Sequence, residues 1–308
     1  MDLLGWRRDA DGVRRHDDPT LQVIFVGDLI DRGDDHRGVL TTVKAMVDAG
    51  TAQMVMGNHE FNAVCFATID PSSGLFLREH SDKNVGQHDA FRKQLSAGEQ
   101  AHWIEWFKTL PLWLDLGALR IIHACWHNQS IELLRGAAGF KGNTFPDDID
   151  SWVRANTKHD SIWEAIEILL KGPEIKLEPY GLPEFRDPGG QMRGEARAAW
   201  WRPGATTLDK LIDANALTEL EDGTPYPTIE TGRPCEPRDR SFAYSDDVPV
   251  AYGHHWREWA PKEHIDWTDR TACVDFSAAK GGPLVAYQWR GESMIDPTHF
   301  ERYPAELR

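Results

Sequence analysis

The chain has 308 residues, 41% of them hydrophobic. That is enough to bury a substantial core, and the length would accommodate about two average domains. Its 49 acidic against 34 basic residues give a net charge of −15, which argues against a nucleic-acid backbone or an anionic membrane as partner, since both demand basic surface. No segment approaches the roughly 18 apolar residues of a membrane helix. No apolar leader follows the charged start, and four cysteines without a C-x-x-C pair read as reduced thiols of a cytoplasmic protein.

In chain order, the polar run Arg14-Arg15-His16-Asp17-Asp18 reads as a solvated turn before a strand. Val23-Ile24-Phe25-Val26 is a short apolar run ended by Gly27-Asp28, the pattern of a strand buried on both faces of a parallel sheet. From Arg37 to Ala49 the residues Val39, Leu40, Val43, Met46 and Val47 share a helical face, with Gly50 at the C-terminal stop. A second strand, Gln53 to Met56, runs into Gly57-Asn58-His59-Glu60. This is a βαβ unit, so both polar clusters emerge at the same end of parallel strands, where ligands bind in open α/β sheets. Asp28, Asp31 and Arg32 stand at one strand end, Asn58 and His59 at the other. A carboxylate, a carboxamide oxygen and an imidazole suit a divalent cation such as manganese, iron or zinc. Arg32 adds a guanidinium fork that matches phosphate oxygens. Singly, each residue also has a structural reading: Asp31 as a cap, Asn58 as a turn residue, His59 as a packing histidine.

Beyond this unit, His59 to Thr68 should begin a helix whose N-terminal dipole lies beside the anion site. Residues 70–90 read as a polar loop with His80 and His88 at the surface. Ser96-Ala97-Gly98-Glu99 is a capping box opening a helix through Trp103, Ile104, Trp106 and Phe107. Leu112-Trp113-Leu114 and Leu119-Arg120-Ile121-Ile122 read as paired strands about Asp115 to Ala118, the second delivering His123 to the sheet end. His127, just past it, reads as a loop polar group. Helical patterns follow from Asn128 and from Asp160 to Lys171. A Pro/Gly-rich stretch, about 172–247, is expected to be an insertion packed over the site. There Arg202 is either a second phosphate clamp or stacks on Trp200 and Trp201. Val248 to Tyr252 resumes strand character and ends in Gly253-His254-His255-Trp256.

GDLIDRG followed by GNHE resembles the signature of the calcineurin-like metallophosphoesterases, in the branch of the serine/threonine phosphoprotein phosphatases and the bacterial symmetrical diadenosine tetraphosphatases. Ile121-Ile122-His123-Ala124 and Tyr252-Gly253-His254-His255 resemble that family's two later ligand motifs. The tail from Cys273-Val274-Asp275 to Lys280-Gly281-Gly282-Pro283-Leu284-Val285-Ala286 is similar to its closing hairpin. The resemblance implies an α/β fold, a metallophosphoesterase-type β-sandwich of two mixed sheets flanked by helices (αββα). It also implies a single domain over 1–308 that carries the insertion. Relatives open with a strand and helix bearing an Asp-x-His pair; this sequence holds no such pair upstream of Asp28, so that first strand and helix are expected to be missing.

By resemblance, Asp28, Asn58, His123 and His254 hold a divalent metal ion, manganese, iron, zinc or similar, while the second site lacks its Asp-x-His ligands. His59 is the general acid, oriented by Asp31, and Arg32 binds phosphate. The implied activity is hydrolysis of a phosphate ester or anhydride by in-line attack of metal-bound hydroxide. The implied substrate is a phosphoprotein or a phosphorylated small molecule of the dinucleoside polyphosphate class, with neither nucleic acid nor membrane as partner. The alternative is a degenerate, non-catalytic member that binds phosphorylated ligands or partner proteins.

Overall fold

The computed structural model describes residues 1–187 and 190–303; Pro188 and Gly189, inside the expected insertion, lie outside the described residues. The chain is a mixed α/β protein, as expected. Its described ladders are a four-stranded mixed sheet and five two-stranded ones. The expected pair of sheets is represented by the four-stranded sheet and the parallel pair Val23–Phe25 with Ala52–Met54; the other four ladders are small additions.

The βαβ unit forms as the pattern predicts. Val23 pairs with Ala52 and Phe25 with Met54, in parallel, across the helix His36–Asp48. Asp35 caps that helix by accepting a hydrogen bond from Gly38 N at 2.8 Å. Leu40, Val43 and Met46 are buried, one turn apart, but Val39 is exposed because it sits off that stripe. Val23–Phe25 is half-buried rather than buried on both faces, since among the described residues it hydrogen-bonds to a single neighbouring strand. The early polar run is not simply a turn: Arg14–Arg15 pairs antiparallel with Arg7–Arg8.

The four-stranded sheet runs Thr271–Cys273, Val250–Tyr252, Arg120–Ile122, Trp113–Asp115. The last two strands are antiparallel about the expected turn, while Val250–Tyr252 lies parallel to both its neighbours. Tyr252 pairs with Ile122, so His123 and His254 leave adjacent strands at one end. Alternate residues serve opposite faces. Ile122, Val250, Tyr252 and Cys273 enter the main core with Met54, Phe61 and Trp113; Ile121, Ala251, Val55 and Leu114 form a second cluster that packs Ile24 and Val26.

The helices Asn58–Ala67, Ala97–Phe107, Asn128–Gly136 and Ser161–Lys171 agree with the pattern, and the capping box is present, with Ser96 N donating to Glu99 Oε2 at 2.8 Å. The stretch 172–247 is less irregular than its composition suggests. Glu174–Lys176 pairs with Glu195–Arg197, and Ile175, Phe185, Ala196, Leu208 and Leu211 build a small core of their own. Trp200 and Trp201 reach out of it into the main core and are fully buried. The tail departs from the expected hairpin. Thr271–Cys273 is spent in the central sheet, so Leu284–Tyr287 pairs instead with Phe300–Tyr303. No described helix is long and apolar enough to cross a membrane.

Candidate metal centre

The strand ends of the βαβ unit are pressed together more tightly than side chains allow. A Cβ on Gly27 would stand 2.5 Å from Gly57 N, and one on Gly57 would stand 2.4 Å from Asp28 Oδ1. Glycine at both places lets the two loops meet backbone to backbone. The junction is tied by Glu60, which is wholly buried. Its Oε2 accepts from Asp28 N and from Gly57 N, each at 2.9 Å, and its Oε1 accepts from Leu29 N at 2.6 Å. Burial and the charge of Asp28 push its pKa up against those backbone donors. In the sequence Glu60 is the third helical residue after Gly57, where a capping glutamate belongs.

Strain accompanies the junction. Asp28, Asp31 and His254 have φ of 60°, 72° and 64°, left-handed backbone that non-glycine residues rarely adopt. Such conformations cost of order 1–3 kcal/mol each and persist where surrounding contacts over-determine them.

The structure brings four of the expected residues together. Ligand atoms of Asp28, His123 and His254 lie within 4.8 Å of one another. Asn58 Oδ1 sits 3.0 Å from His123 Nε2 and 2.9 Å from His254 Nδ1. His123 Nδ1 is 2.6 Å from Val26 O, so it donates there. Its Nε2 is turned toward two oxygens, Asn58 Oδ1 at 3.0 Å and Asp28 Oδ1 at 3.3 Å. Burial, followed by the neighbouring His123 and His255, pushes the pKa of His254 well below its ordinary value, which leaves that ring neutral and able to ligate. Lone pairs converging on one point, with carboxylate, carboxamide and imidazole donors, fit a divalent transition metal.

Beside this cluster, His59 Nδ1 lies 2.7 Å from Asp31 Oδ2, and His59 Nε2 is 3.9 Å from Asp28 Oδ2. Burial opposes a charge on His59, but the field of Asp28 and the hydrogen bond to Asp31 outweigh it and raise the pKa to about 9. His88 departs from expectation: it is buried, and its Nδ1 lies 2.5 Å from Asp31 Oδ1. The supposed loop is structured there. Asp82–Gln87 and Asp89–Gln94 are helical, and the His88 ring stacks on Phe91 at 4.8 Å. The spacing Val85, His88, Phe91, Leu95 was the available signal. Asp31 is thus held between two imidazoles. Burial alone would raise its pKa, but their hydrogen bonds hold it below the usual carboxylate range.

His80 is exposed, as expected, sandwiched between Phe66 at 3.8 Å and Phe76 at 4.0 Å. His127 is a loop polar group, as expected, just before the helix Asn128–Gly136, but it is buried; it bonds Ser130 Oγ at 2.8 Å, and burial drives its pKa down to about 4. All four cysteines are free thiols and buried. Arg32 is exposed, with its guanidinium 4.8 Å from the Trp256 ring centre. Among the described residues the hydrogen bonds of Arg202 go to the carbonyls of Lys210, at 2.9 Å, and His264, at 3.3 Å, and none joins it to the cluster.

The family described as "Calcineurin-like phosphoesterase" matches residues 6–179. The symmetrical bis(5'-nucleosyl)-tetraphosphatase of Ralstonia nicotianae (strain ATCC BAA-1114 / GMI1000) is 29% identical over 272 residues, 88% of this chain and 71% of the relative. A crystal structure assigned to a diadenosine tetraphosphatase covers 92% of this chain and 80% of its own, at 12% identity and a TM-score of 0.38.

Proposed function

Because the chain belongs to the calcineurin-like phosphoesterase family, we propose that it is a metal-dependent hydrolase of phosphate esters or anhydrides. The observation that carries this reading is the convergence of Asp28, Asn58, His123 and His254, with His123 Nε2 turned toward two oxygens. These four residues would hold one divalent ion tightly. When bound, it supplies Lewis acidity that polarises a phosphoryl oxygen and acidifies water. Asp31 fixes His59 through Nδ1, which leaves Nε2 to deliver a proton to the leaving oxygen. His88 holds the far oxygen of Asp31, so the carboxylate cannot rotate away from His59. Arg32 neutralises phosphate charge. The tetraphosphatase relative makes a nucleoside polyphosphate the leading substrate class. Four buried thiols fit a reducing, cytoplasmic setting.

Among the described residues one such group of metal-binding side chains is found. In a family whose implied chemistry uses two ions, that favours a second reading, a member that binds phosphorylated ligands without turning them over. The experiment that separates the two is hydrolysis of an aryl phosphate with manganese added. The enzyme reading expects turnover that chelator removes and that Asp28→Asn lowers by more than about 100-fold, since even outer-shell partners of a metal are worth about 10–100-fold. Equal hydrolysis in excess chelator, with metal removal verified, contradicts it.

A further inference from the structure

Asp31 stands between two imidazoles that arrive from different parts of the chain. His59 belongs to the helix Asn58–Ala67, while His88 ends the helix Asp82–Gln87 and begins Asp89–Gln94. Their Nδ1 atoms meet its two oxygens, at 2.7 and 2.5 Å. All three side chains are shut off from solvent, none more than 9% exposed. Two such bonds fix the carboxylate only while the helices keep their spacing. Asp31 cannot enforce that spacing itself, because its φ of 72° is strained backbone that its surroundings must hold in place.

The link between the helices is Arg78. Its Nη1 donates to Asn62 Oδ1 at 2.9 Å, and Asn62 is three residues past His59 on the same helix. Its Nη2 donates to Asn84 Oδ1 and to Gln87 Oε1, each at 2.9 Å, in the helix that ends at His88. The Asn84 carbonyl in turn accepts from His88 N at 3.2 Å, and Arg78 N donates to Cys65 O, back in the first helix, at 3.1 Å. Between Arg78, its three amide partners, Asp31 and His88 lies a cavity of about 10 Å³, room for one water among polar groups. Among the described residues the side-chain partners of Arg78 are all amides. A half-buried cation so placed gives little stability through charge. What the guanidinium offers is a planar fork that reaches acceptors on two helices at once.

We propose that Arg78 and His88 are positioning residues of this site: Arg78 holds the two helices at the spacing that lets His88 and His59 close on Asp31 from both sides, so that His59 Nε2 keeps the direction from which a proton reaches the leaving oxygen. The inference rests on the phosphoesterase reading and deepens it. Both residues act through Asp31 and His59. Among the described residues neither forms a hydrogen bond with Asp28, Asn58, His123 or His254, so opening this brace misdirects the acid and leaves the metal-binding residues in place. A misdirected acid matters for an alkoxide leaving group and little for nitrophenolate.

The test compares turnover of an alkyl phosphate and of nitrophenyl phosphate by the manganese-loaded protein, per folded molecule. Arg78→Met should lower kcat on the alkyl ester by about tenfold and on the nitrophenyl ester by less than about threefold, with KM and bound manganese unchanged. His88→Leu should show the same split, and His88→Asn, whose amide nitrogen stands close to where Nδ1 stood, should recover most of the loss. A general loosening of the fold slows both esters alike. Equal losses, no loss on the alkyl ester, or a His88→Asn no better than His88→Leu therefore overturn the proposal. A second measurement needs no turnover. In zinc-loaded protein with isotope-labelled histidine, the Nδ1 protons of His59 and His88 should appear by NMR as slowly exchanging, and Arg78→Met should speed the exchange of both. Wild type in which neither proton is protected overturns the brace, whether or not the variants fold. If the esters are hydrolysed but Arg78→Met changes neither the split nor the exchange, the brace fails and the phosphoesterase reading stands. If nothing is hydrolysed but Arg78→Met releases both protons, the positioning of His59 stands and the catalytic reading fails.

Discussion

His254 and Arg257, three residues apart in one loop, enter two polar constellations of opposite character. Arg257 is 6% exposed and lies over the Trp201 ring at 4.4 Å, between Asp213 and Asp266, each 3.5 Å away. Opposite charges close that group on itself. His254 enters a group in which a carboxylate, a carboxamide oxygen and two imidazoles converge, with His123 Nε2 facing two oxygens. The first is buried and the second half-buried, and they differ in the atoms they gather. The first sets a guanidinium between two carboxylates, although Arg257 Nε and Nη2 and Asp266 Oδ1 are buried without a hydrogen bond; the second gathers donors that suit a cation. Burial of polar groups therefore does not by itself mark a site. The kind of donor atoms that converge does.

The comparison breaks if the open group is catalytically idle. His59→Asn should lower turnover by about 10²–10⁴-fold on alkyl phosphates, the usual worth of a positioned general acid. Loss on nitrophenyl phosphate should be smaller, because nitrophenolate departs with little need of a proton. Steady-state kinetics on both esters reads this out, and equal losses would remove His59 from proton donation.

The comparison is sharpened from the closed side by Arg257→Ala. Removing the guanidinium takes a cation from between Asp213 and Asp266 beside Trp201, and breaking a buried pair costs about 3–5 kcal/mol. A urea titration should show that loss of stability, while kcat per folded molecule stays near wild type. Loss of turnover without loss of stability would place Arg257 in the open group and erase the distinction.

What could be read in the sequence follows this same division. The βαβ unit was legible because alternation and helical spacing fix where strands end, and strand ends fix where Asp28, Asn58, His123 and His254 stand. The sites of His88 and Glu60 were harder to see. His88 reaches Asp31 only because two short helices fold it onto Phe66 and Phe91, a tertiary event that a lone histidine in a polar stretch does not announce. Glu60 lay inside a motif, but its three backbone donors come from two loops brought together by Gly27 and Gly57. The insertion misled for a related reason. Its prolines and glycines suggested irregular chain, while sparse apolar residues far apart in sequence assemble a core of their own. At the tail, Leu284–Val285–Ala286 was rightly apolar, but its strand partner lay beyond the stretch that suggested a hairpin.

The central claim is that the open constellation is a metal site, and metal content tests it most directly. Wild type, Asp28→Ala, His254→Ala and Arg257→Ala would be loaded with manganese, dialysed against metal-free buffer and analysed for bound ion per chain. The account predicts about one tightly held ion in wild type and in folded Arg257→Ala, and loss of it in the other two, since removing one of four donors leaves too few to hold a transition metal against dilution. Wild type that retains no ion, or Asp28→Ala and His254→Ala that retain as much as wild type, would contradict it.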